Sequence, residues 1–598
     1  MQVVPPRDVL SQSPHSTPGD LSTRSIMLRT SQDERVFLGS TAAISFLEFL
    51  QQTWRTYVEP NSFTENPGTK RMLEADMPRS LAPPKEGLDD SQKRRLVGSY
   101  LHASSGILDL FTENDVERIL ACSNPQLQCP PSPEDTVDPE VNQHVLLDLM
   151  IAIGAQADAA QHELCLAVPY FTRAQRAAFA GMLQAPTVDL ARAFVLMAFY
   201  MLGACNRNAA LMYIGVASNM SMILGLHLPE KYQHLPIEKR EARLQTCKSI
   251  RVLDLICNTI LGRPGNTPII CDEREFLDGE ICPNYATLCA TYEVVSVLQS
   301  VVNKTTENQG IHIDDAEEFI QQLQRWSGNL PAHLRQQSLA SHLELPTLAT
   351  SRAIIGKIHL ACIYYYAVIQ VTRQFLVSQI IPHIRGQMVL DSVNERETEL
   401  ATMCTEAALL MIQMCEDAAQ ANSLLGNMCI LKAWLFSSGL VLGFSLLGPH
   451  KQRSSIRHAF QSAGRLLAGF GQTSPQARQY HCILNEFADA IDAHERQRQS
   501  NQPHRRSSRV EKILSFDVGS SSRESGWVET QRMFPSSPQS GGTDATVDGQ
   551  SQVEPFLMDD LTRQWDWGPG TGDNEILRMF LDPCLDNLMS YPEGHNFG

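Results

Sequence analysis

Cysteine, histidine and acidic side chains could hold a metal or run catalysis here, and their spacing argues against both. A structural zinc site needs thiolate or imidazole ligands converging in a tetrahedron, which shows in sequence as closely spaced Cys or Cys/His pairs. The chain has 15 cysteines and no Cys-x-x-Cys. Cys122/Cys129 and Cys282/Cys289 each enclose six residues and read as ordinary core or loop thiols. No GxxxxGK[ST] phosphate cradle occurs, and Gly469-Phe-Gly lacks both the third glycine and the preceding strand of a dinucleotide motif. In Gly443-Phe-Ser-Leu-Leu-Gly the second glycine comes one residue too late for a nucleophile elbow, and the context is helical. His227 closes a helical pattern, where an imidazole can bond loose carbonyls and complement the helix dipole, so a capping role is expected of it. Asp254 with Arg251 or Arg263 reads as a helix-surface ion pair. No catalytic, cofactor-binding or metal residue is expected, and no enzymatic activity.

The elements that carry these residues are helical. Val145 to Ala157 is a continuous apolar helix. From Asn208 to Leu226, Met212, Val216, Met220, Ile223 and Leu224 recur at three- and four-residue steps, which predicts one buried stripe. From Leu244 to Leu261 the stripe is Leu244, Cys247, Ile250, Leu253, Cys257 and Ile260, with Lys248, Arg251, Asp254 and Asn258 on the opposite face. Gly225 and Gly262 stand where these helices should stop, and Pro229 and Pro264 follow. Further helices centre on Phe319–Trp326, Ile354–Leu376, Leu400–Ala418, Cys429–Leu447, Ile456–Phe470 and Gln476–Asp492. Strand-type alternation is scarce and no short-period repeat is present. The fold class is all-α: one large multi-helix domain between disordered ends.

At 598 residues the chain exceeds one hydrophobic core, so several core units or one large helical array are expected. Residues 1–30 carry twelve Ser, Thr or Pro and no apolar core, so they read as a disordered start with no signal peptide. Residues 31–92 hold a short amphipathic segment, Arg35 to Tyr57, and a polar linker. Residues 93–498 are the helical domain, 499–553 a Ser-, Gln- and Gly-rich linker, and 554–598 a distinct tail. The longest apolar run, Ala433 to Leu447, has fifteen residues, too few for a confident membrane span, and no membrane partner is expected. The cysteines read as reduced intracellular thiols. A net charge of −17 excludes bulk electrostatic attraction to nucleic acid, so any DNA contact needs a local basic patch.

The tail has nine acidic and two basic residues, with Phe556, Leu557, Leu561, Trp565, Trp567, Phe580 and Leu581 threaded between them. Interspersed acids keep bulky apolar groups solvated and able to dock into a partner's groove, the pattern of an activation segment that meets coactivators. A basic stretch, Arg496, Arg498, Arg505, Arg506, Arg509 and Lys512, reads as an import signal or a kinase site around Ser507-Ser508, and equally as a solvated linker.

Several motifs, in order over most of the helical region, resemble the fungal-specific transcription factor domain of zinc-cluster regulators. Val36-Phe-Leu-Gly-Ser-Thr is similar to the glycine–serine segment before that domain, and Leu96-Val-Gly-Ser-Tyr-Leu-His with Ile107-Leu-Asp-Leu-Phe to its opening helix and loop. Ala152-Ile-Gly-Ala, Tyr170-Phe, Arg207-Asn208-Ala-Ala, Leu224-Gly225-Leu-His227, Leu253-Asp254 and Gly262-Arg263-Pro264 follow, then Leu323, Trp326, Leu330-Pro331, His359-Leu, Tyr364-Tyr365 and Thr372-Arg-Gln-Phe-Leu. The chain departs from the pattern at Thr246-Cys247, where aromatic residues are common, at Gln374, where proline is usual, and in having no six-cysteine zinc cluster. The resemblance implies a nuclear regulator of transcription by RNA polymerase II, an activator, with shuttling to the cytoplasm allowed. Arg207, Asn208, Gly225, His227, Asp254, Gly262, Arg263 and Pro264 would then be structural motif residues, and no DNA-binding residue carries over. Promoter DNA would be reached through a zinc cluster encoded upstream, the one source of a zinc cofactor, or through a DNA-bound partner in a homodimer or heterodimer. The competing class is an all-α ligand-binding or scaffolding protein.

Overall fold

The computed structural model describes residues 23–29, 34–66, 88–121, 139–158, 161–182, 185–265, 283–335, 348–386, 394–449 and 452–501. Cys122, Cys129, Cys282 and the tail residues Phe556, Leu557, Leu561, Trp565, Trp567, Phe580 and Leu581 lie outside the described residues.

Two short strands come first, β1 (Ile26–Arg29) and β2 (Arg35–Leu38), paired antiparallel with Ile26 opposite Leu38. All else that is regular is helical: α1 (Ala43–Tyr57), α2 (Ser62–Glu65), α3 (Asp90–Ala103), α4 (Glu113–Ala121), α5 (Pro139–Ala157), α6 (Gln161–Met182), α7 (Val188–Gly203), α8 (Arg207–Ile223) and α9 (Ile237–Ile260). Then come α10 (Pro283–Asn308), α11 (Ile313–Asn329), α12 (Ala332–Arg335), α13 (Leu348–Ile384), α14 (Glu395–Gln420), α15 (Cys429–Ser445), α16 (Arg453–Phe470) and α17 (Pro475–Asn501). The all-α expectation holds. The hairpin was missed because four-residue strands show too few alternations to stand out, and Ile26–Arg29 falls in the stretch expected to be disordered. The amphipathic segment Arg35 to Tyr57 is in fact strand, turn and helix, and α4 and α10 fall inside the expected helical domain without having been named as separate helices.

Local chemistry sets the helix ends. Asp89 and Gln92 form a capping box at α3, and the Thr187 hydroxyl accepts from the Leu190 amide at the start of α7. Gly225 and Gly262 sit at φ +63° and +65°, a conformation costly for any residue with a Cβ. The Leu226 amide donates back to the Ser221 carbonyl at 2.9 Å and the Arg263 amide to that of Asn258 at 2.8 Å, closing α8 and α9.

Helix faces then pack. α7 is buried from Leu190 to Leu202, with α5, α8 and α9 among its neighbours, while α13 lies along α14 and beside α10 and α15. At the far end Trp54 and Phe63 reach Phe487 of α17, with ring centroids 5.7 and 4.5 Å apart, so the first helices are tied to the last. Each such buried aromatic contributes about 1.5–3 kcal/mol. α10 and the Ser351–Ile384 part of α13 are long and apolar enough to cross a membrane, but 61% and 78% of their most apolar windows are buried in the fold, as in core helices.

Two sequence expectations about faces fail. In α8, Met212 and Ile223 are 74% and 72% exposed, whereas Ala210, Ile214, Ala217, Ser218 and Ser221 are buried. Met220 of the expected stripe is buried together with Tyr213 and Ile214, so the buried face is rotated from the predicted one and only its outer members, Met212 and Ile223, face out. In α9, Lys248, Asp254 and Asn258 are as buried as the apolar stripe, because α7, α8 and α10 flank the helix and leave its middle no solvent face.

Candidate functional site

Three segments far apart in sequence converge on one point: Phe37–Thr41 at the end of β2, Leu261–Arg263 after α9, and Gln370–Gln374 of α13. The Gly39 amide donates to the Leu261 carbonyl at 3.0 Å. A Cβ built on Gly39 would stand 1.8 Å from the Gly262 carbonyl oxygen, so the approach requires glycine. Arg263 clasps the same strand end, its Nε and Nη2 donating to the Phe37 carbonyl at 2.9 and 2.6 Å. From the other side Arg373 Nη2 donates to the carbonyls of Ser40 (3.3 Å) and Thr41 (3.0 Å), and its guanidinium lies 4.7 Å from the centroid of the Phe46 ring. Gln374 pairs in both directions with the backbone of Ile311, accepting from its amide at 2.9 Å and donating to its carbonyl. This pairing needs an amide at position 374, where the resemblance leads one to expect proline.

Arg373 is 5% exposed, and among the described residues no carboxylate pairs with it. Burial lowers its pKa from the ordinary arginine value, opposed by the Tyr366 and Cys404 side chains nearby. A buried cation without a counter-charge is costly. Beside it lies a cavity of about 240 Å³ whose walls include Thr41, Gln370, Arg373, Gln374, Phe375 and Val377. Four polar atoms of these residues are closed off from solvent and make no hydrogen bond: Arg373 Nη1, Gln370 Nε2 and Oε1, and Thr41 Oγ1. The Tyr366 hydroxyl lies near enough to feel the Gln370 amide but makes no bond of proper geometry with it. A second cavity, of about 450 Å³, shares Thr23, Ser40, Thr305 and Gln309 with the first and has Arg24 on its wall.

The structure does not gather the residues singled out from the sequence into one site. Gly262 and Arg263 belong to the convergence, and Pro264 is exposed beside it. Arg207, 5% exposed at the start of α8, donates to the Tyr480 hydroxyl at 2.6 Å and so ties α8 to α17, while Asn208 is half-buried next to it. The ion pair expected of Asp254 forms with Arg251, but inside the fold and not on the helix surface. Asp254 is 1% exposed, its Oδ1 accepts from Asn258 at 2.7 Å, and Arg251 stands 3.8 Å from Oδ2. Arg263 turns instead to Phe37. His227 does not cap α8 as expected, for its Nδ1 is buried without a partner. The carbonyl of Leu224 is met by Arg243 at 3.2 Å and that of Leu226 by the Tyr232 hydroxyl at 3.1 Å. Gly443 lies within helix α15 and Gly469 near the end of α16, as their sequence context implies. Among the described residues no group of three His, Cys, Asp or Glu could hold a metal ion.

Sequence reasoning noticed Arg373 only as part of a family-like motif and did not single out Gln370. A signal was available: Arg373 sits in an apolar helix with no acid one turn away on either side, at Ile369, Gln370, Leu376 or Val377.

Residues 125–275 match the family model described as the fungal specific transcription factor domain, which bears out the resemblance over α5 to α9 and their connections. Over 320 residues the chain is also 23% identical to Transcription factor FBD3 of Gibberella moniliformis (strain M3125 / FGSC 7600), an alignment covering 48% of this chain and 41% of that protein. The chain thus spans about two fifths of the length of this curated relative. No solved structure matches.

Proposed function

We propose that this chain regulates fungal gene transcription, with α3 to α17 as a regulatory domain and residues 554–598 as an acidic activation segment. The observation that carries this reading is the family match over residues 125–275, which includes the buried helix α7. In this reading the protein is a nuclear activator of RNA polymerase II genes and not an enzyme. Its tail engages coactivators, and promoter DNA is contacted through a zinc cluster or through a DNA-bound partner in a homo- or heterodimer. The order of motifs along the chain and the mixture of acids with aromatic residues in the tail support it.

Fusion of residues 554–598 to a foreign DNA-binding domain tests the tail. The expected result is reporter activation that falls when Trp565, Trp567, Phe580 and Leu581 are replaced by alanine. A silent fusion, or activation indifferent to those substitutions, would remove the activation segment from the reading. Chromatin association of the tagged full chain, with expression changes on deletion of its gene, is expected as well. Purely cytosolic protein and an unchanged expression profile would favour a scaffold or ligand-binding role.

A further inference from the structure

We propose that Lys248 and Cys289 form an oxidation site at which a hydroperoxide causes the two side chains to be joined by a nitrogen–sulfur bond. Nζ of Lys248, in the middle of α9, donates to Sγ of Cys289 on α10 at 3.3 Å, so the atoms to be joined already touch. The nitrogen is held at that place. Lys248 is 7% exposed, and its ammonium lies 5.1 Å from the ring centroid of Tyr285 and 5.5 Å from that of Tyr292. On α10 these tyrosines stand one turn before and one turn after Cys289, a spacing that puts the three side chains on one helix face. Contact of this kind replaces a bimolecular encounter between amine and oxidised sulfur by an intramolecular one. Cys289 is half-buried and not sealed in the core, so an oxidant as small as hydrogen peroxide reaches it.

The chemistry runs in two steps. Sulfur first attacks one oxygen of the peroxide. The S–O bond forms as the O–O bond breaks, the thiol is oxidised to a sulfenic acid, and the peroxide is reduced to water. Lys248 then gives one proton to solvent, and its nitrogen attacks the sulfur. The N–S bond forms, the S–O bond breaks, and the departing hydroxide takes a second proton from nitrogen and leaves as water. One thiol, one ammonium and one hydrogen peroxide thus become a sulfenamide, two waters and a proton. Loss of the first proton forfeits the attraction between the ammonium and the two rings, so closure is the slower step and the sulfenic acid accumulates before it. The new bond fastens α9 to α10 through residues 41 positions apart. Two equivalents of an added thiol reduce it to amine and thiol and are themselves oxidised to a disulfide. The site stands independently of the transcription-regulator reading.

The test oxidises the purified 598-residue chain with hydrogen peroxide, digests it and reads the peptides by mass spectrometry. The expected product is a pair of peptides joined through Lys248 and Cys289, two hydrogens lighter than the sum of the reduced peptides, which dithiothreitol separates. Dimedone, which captures sulfenic acids, should label Cys289 when present from the start and suppress the joined pair. Lys248→Arg keeps a cation beside the rings but offers no nucleophilic amine. It should lose the joined pair and keep dimedone labelling at Cys289. Lys248→Met makes the same comparison without the bulk of arginine, and thermal unfolding before oxidation shows which of the two variants keeps the parent's fold. Peroxide should raise the unfolding midpoint of the parent, and dithiothreitol should lower it again, with no such cycle in Cys289→Ser. The site is refuted if Cys289 stays reduced while the exposed Cys165 and Cys482 oxidise, or if its sulfenic acid forms and no joined pair follows. It is refuted equally if the pair forms in Lys248→Arg or if the joined mass carries an added oxygen. A joined pair without a change in midpoint would overturn the fastening of α9 to α10.

Discussion

Alanine at position 39 tests whether the convergence of distant segments holds the protein together. The added methyl would meet the Gly262 carbonyl oxygen at 1.8 Å and its carbon at 2.6 Å, both backbone atoms with no rotamer by which to escape. The strand end must therefore lift from α9. It loses the Gly39–Leu261 hydrogen bond and strains the two bonds from Arg263 to the Phe37 carbonyl. A neutral backbone bond is worth about 1 kcal/mol and bonds from a charged donor about 1.5–3 kcal/mol. Arg263 can recover part of its loss from solvent, so the expected cost is about 3 kcal/mol. In a chain this large the loss is best read locally. Amide exchange over residues 35–50 should accelerate about a hundredfold, the factor that corresponds to that energy, while α16 and α17 stay protected. Unchanged exchange in Gly39→Ala, or a uniform change across the fold, would refute the convergence as a local clasp.

Met212→Glu and Ile223→Lys on α8 should each change stability by less than about 0.5 kcal/mol, because both side chains are largely exposed, whereas Ala217→Leu on the buried face should cost about 1–3 kcal/mol in urea unfolding. Asp109 is held up to about 6 by burial, with the Arg352 charge opposing. The folded chain therefore keeps its proton while the unfolded chain releases it, and stability falls as pH rises from about 4 to 6. Asp109→Asn should then stabilise by up to about 3 kcal/mol at pH 7 and by nothing near pH 4, as measured by denaturant unfolding across that range. His359 is pushed down to about 4 by burial, against a bond from its Nδ1 to the Ser105 carbonyl. Its contribution has the opposite slope, being present above about pH 6.5 and lost as pH falls toward 4, so His359→Gln should flatten the acid limb of the stability profile. Among the described cysteines, a thiol reagent under native conditions should label the exposed Cys165 and Cys482 first. Cys362, Cys404 and Cys415, fully buried, should react only after unfolding, and rapid native labelling of any of them would contradict the packing.

Much of the local structure is legible in the residues. Asp89 and Thr187 announce helix starts, and Gly225 and Gly262 announce ends through a backbone angle only glycine adopts cheaply. The apolar stripe Leu244 to Ile260 is buried as its spacing predicts. α10 was missed because threonines, tyrosines and valines interrupt a clear helical period, although Pro283 stands at its first position, where proline starts helices. The stripe on α8 misled in part: Met220 is buried as its spacing predicts, but the neighbouring helices meet the face of Ala210, Ile214 and Ala217 and leave Met212 and Ile223 outside.

What the sequence determines by itself is the helical class, the positions at which most helices begin and end, and a likeness carried by ordered motifs. These follow from interactions within a few residues, which local pattern records. Only the tertiary structure decides which sides of α8 and α9 meet protein, and that Asp254 and Arg373 lose their water. It alone brings Gly39, Gly262 and Arg373 to one point. Burial is set by whichever elements arrive as neighbours: for α8 and α9 these are the helices next in the chain, whereas Gly39 meets Leu261 and Arg373 meets Thr41 across more than two hundred residues, and neither kind of contact is written in a periodicity.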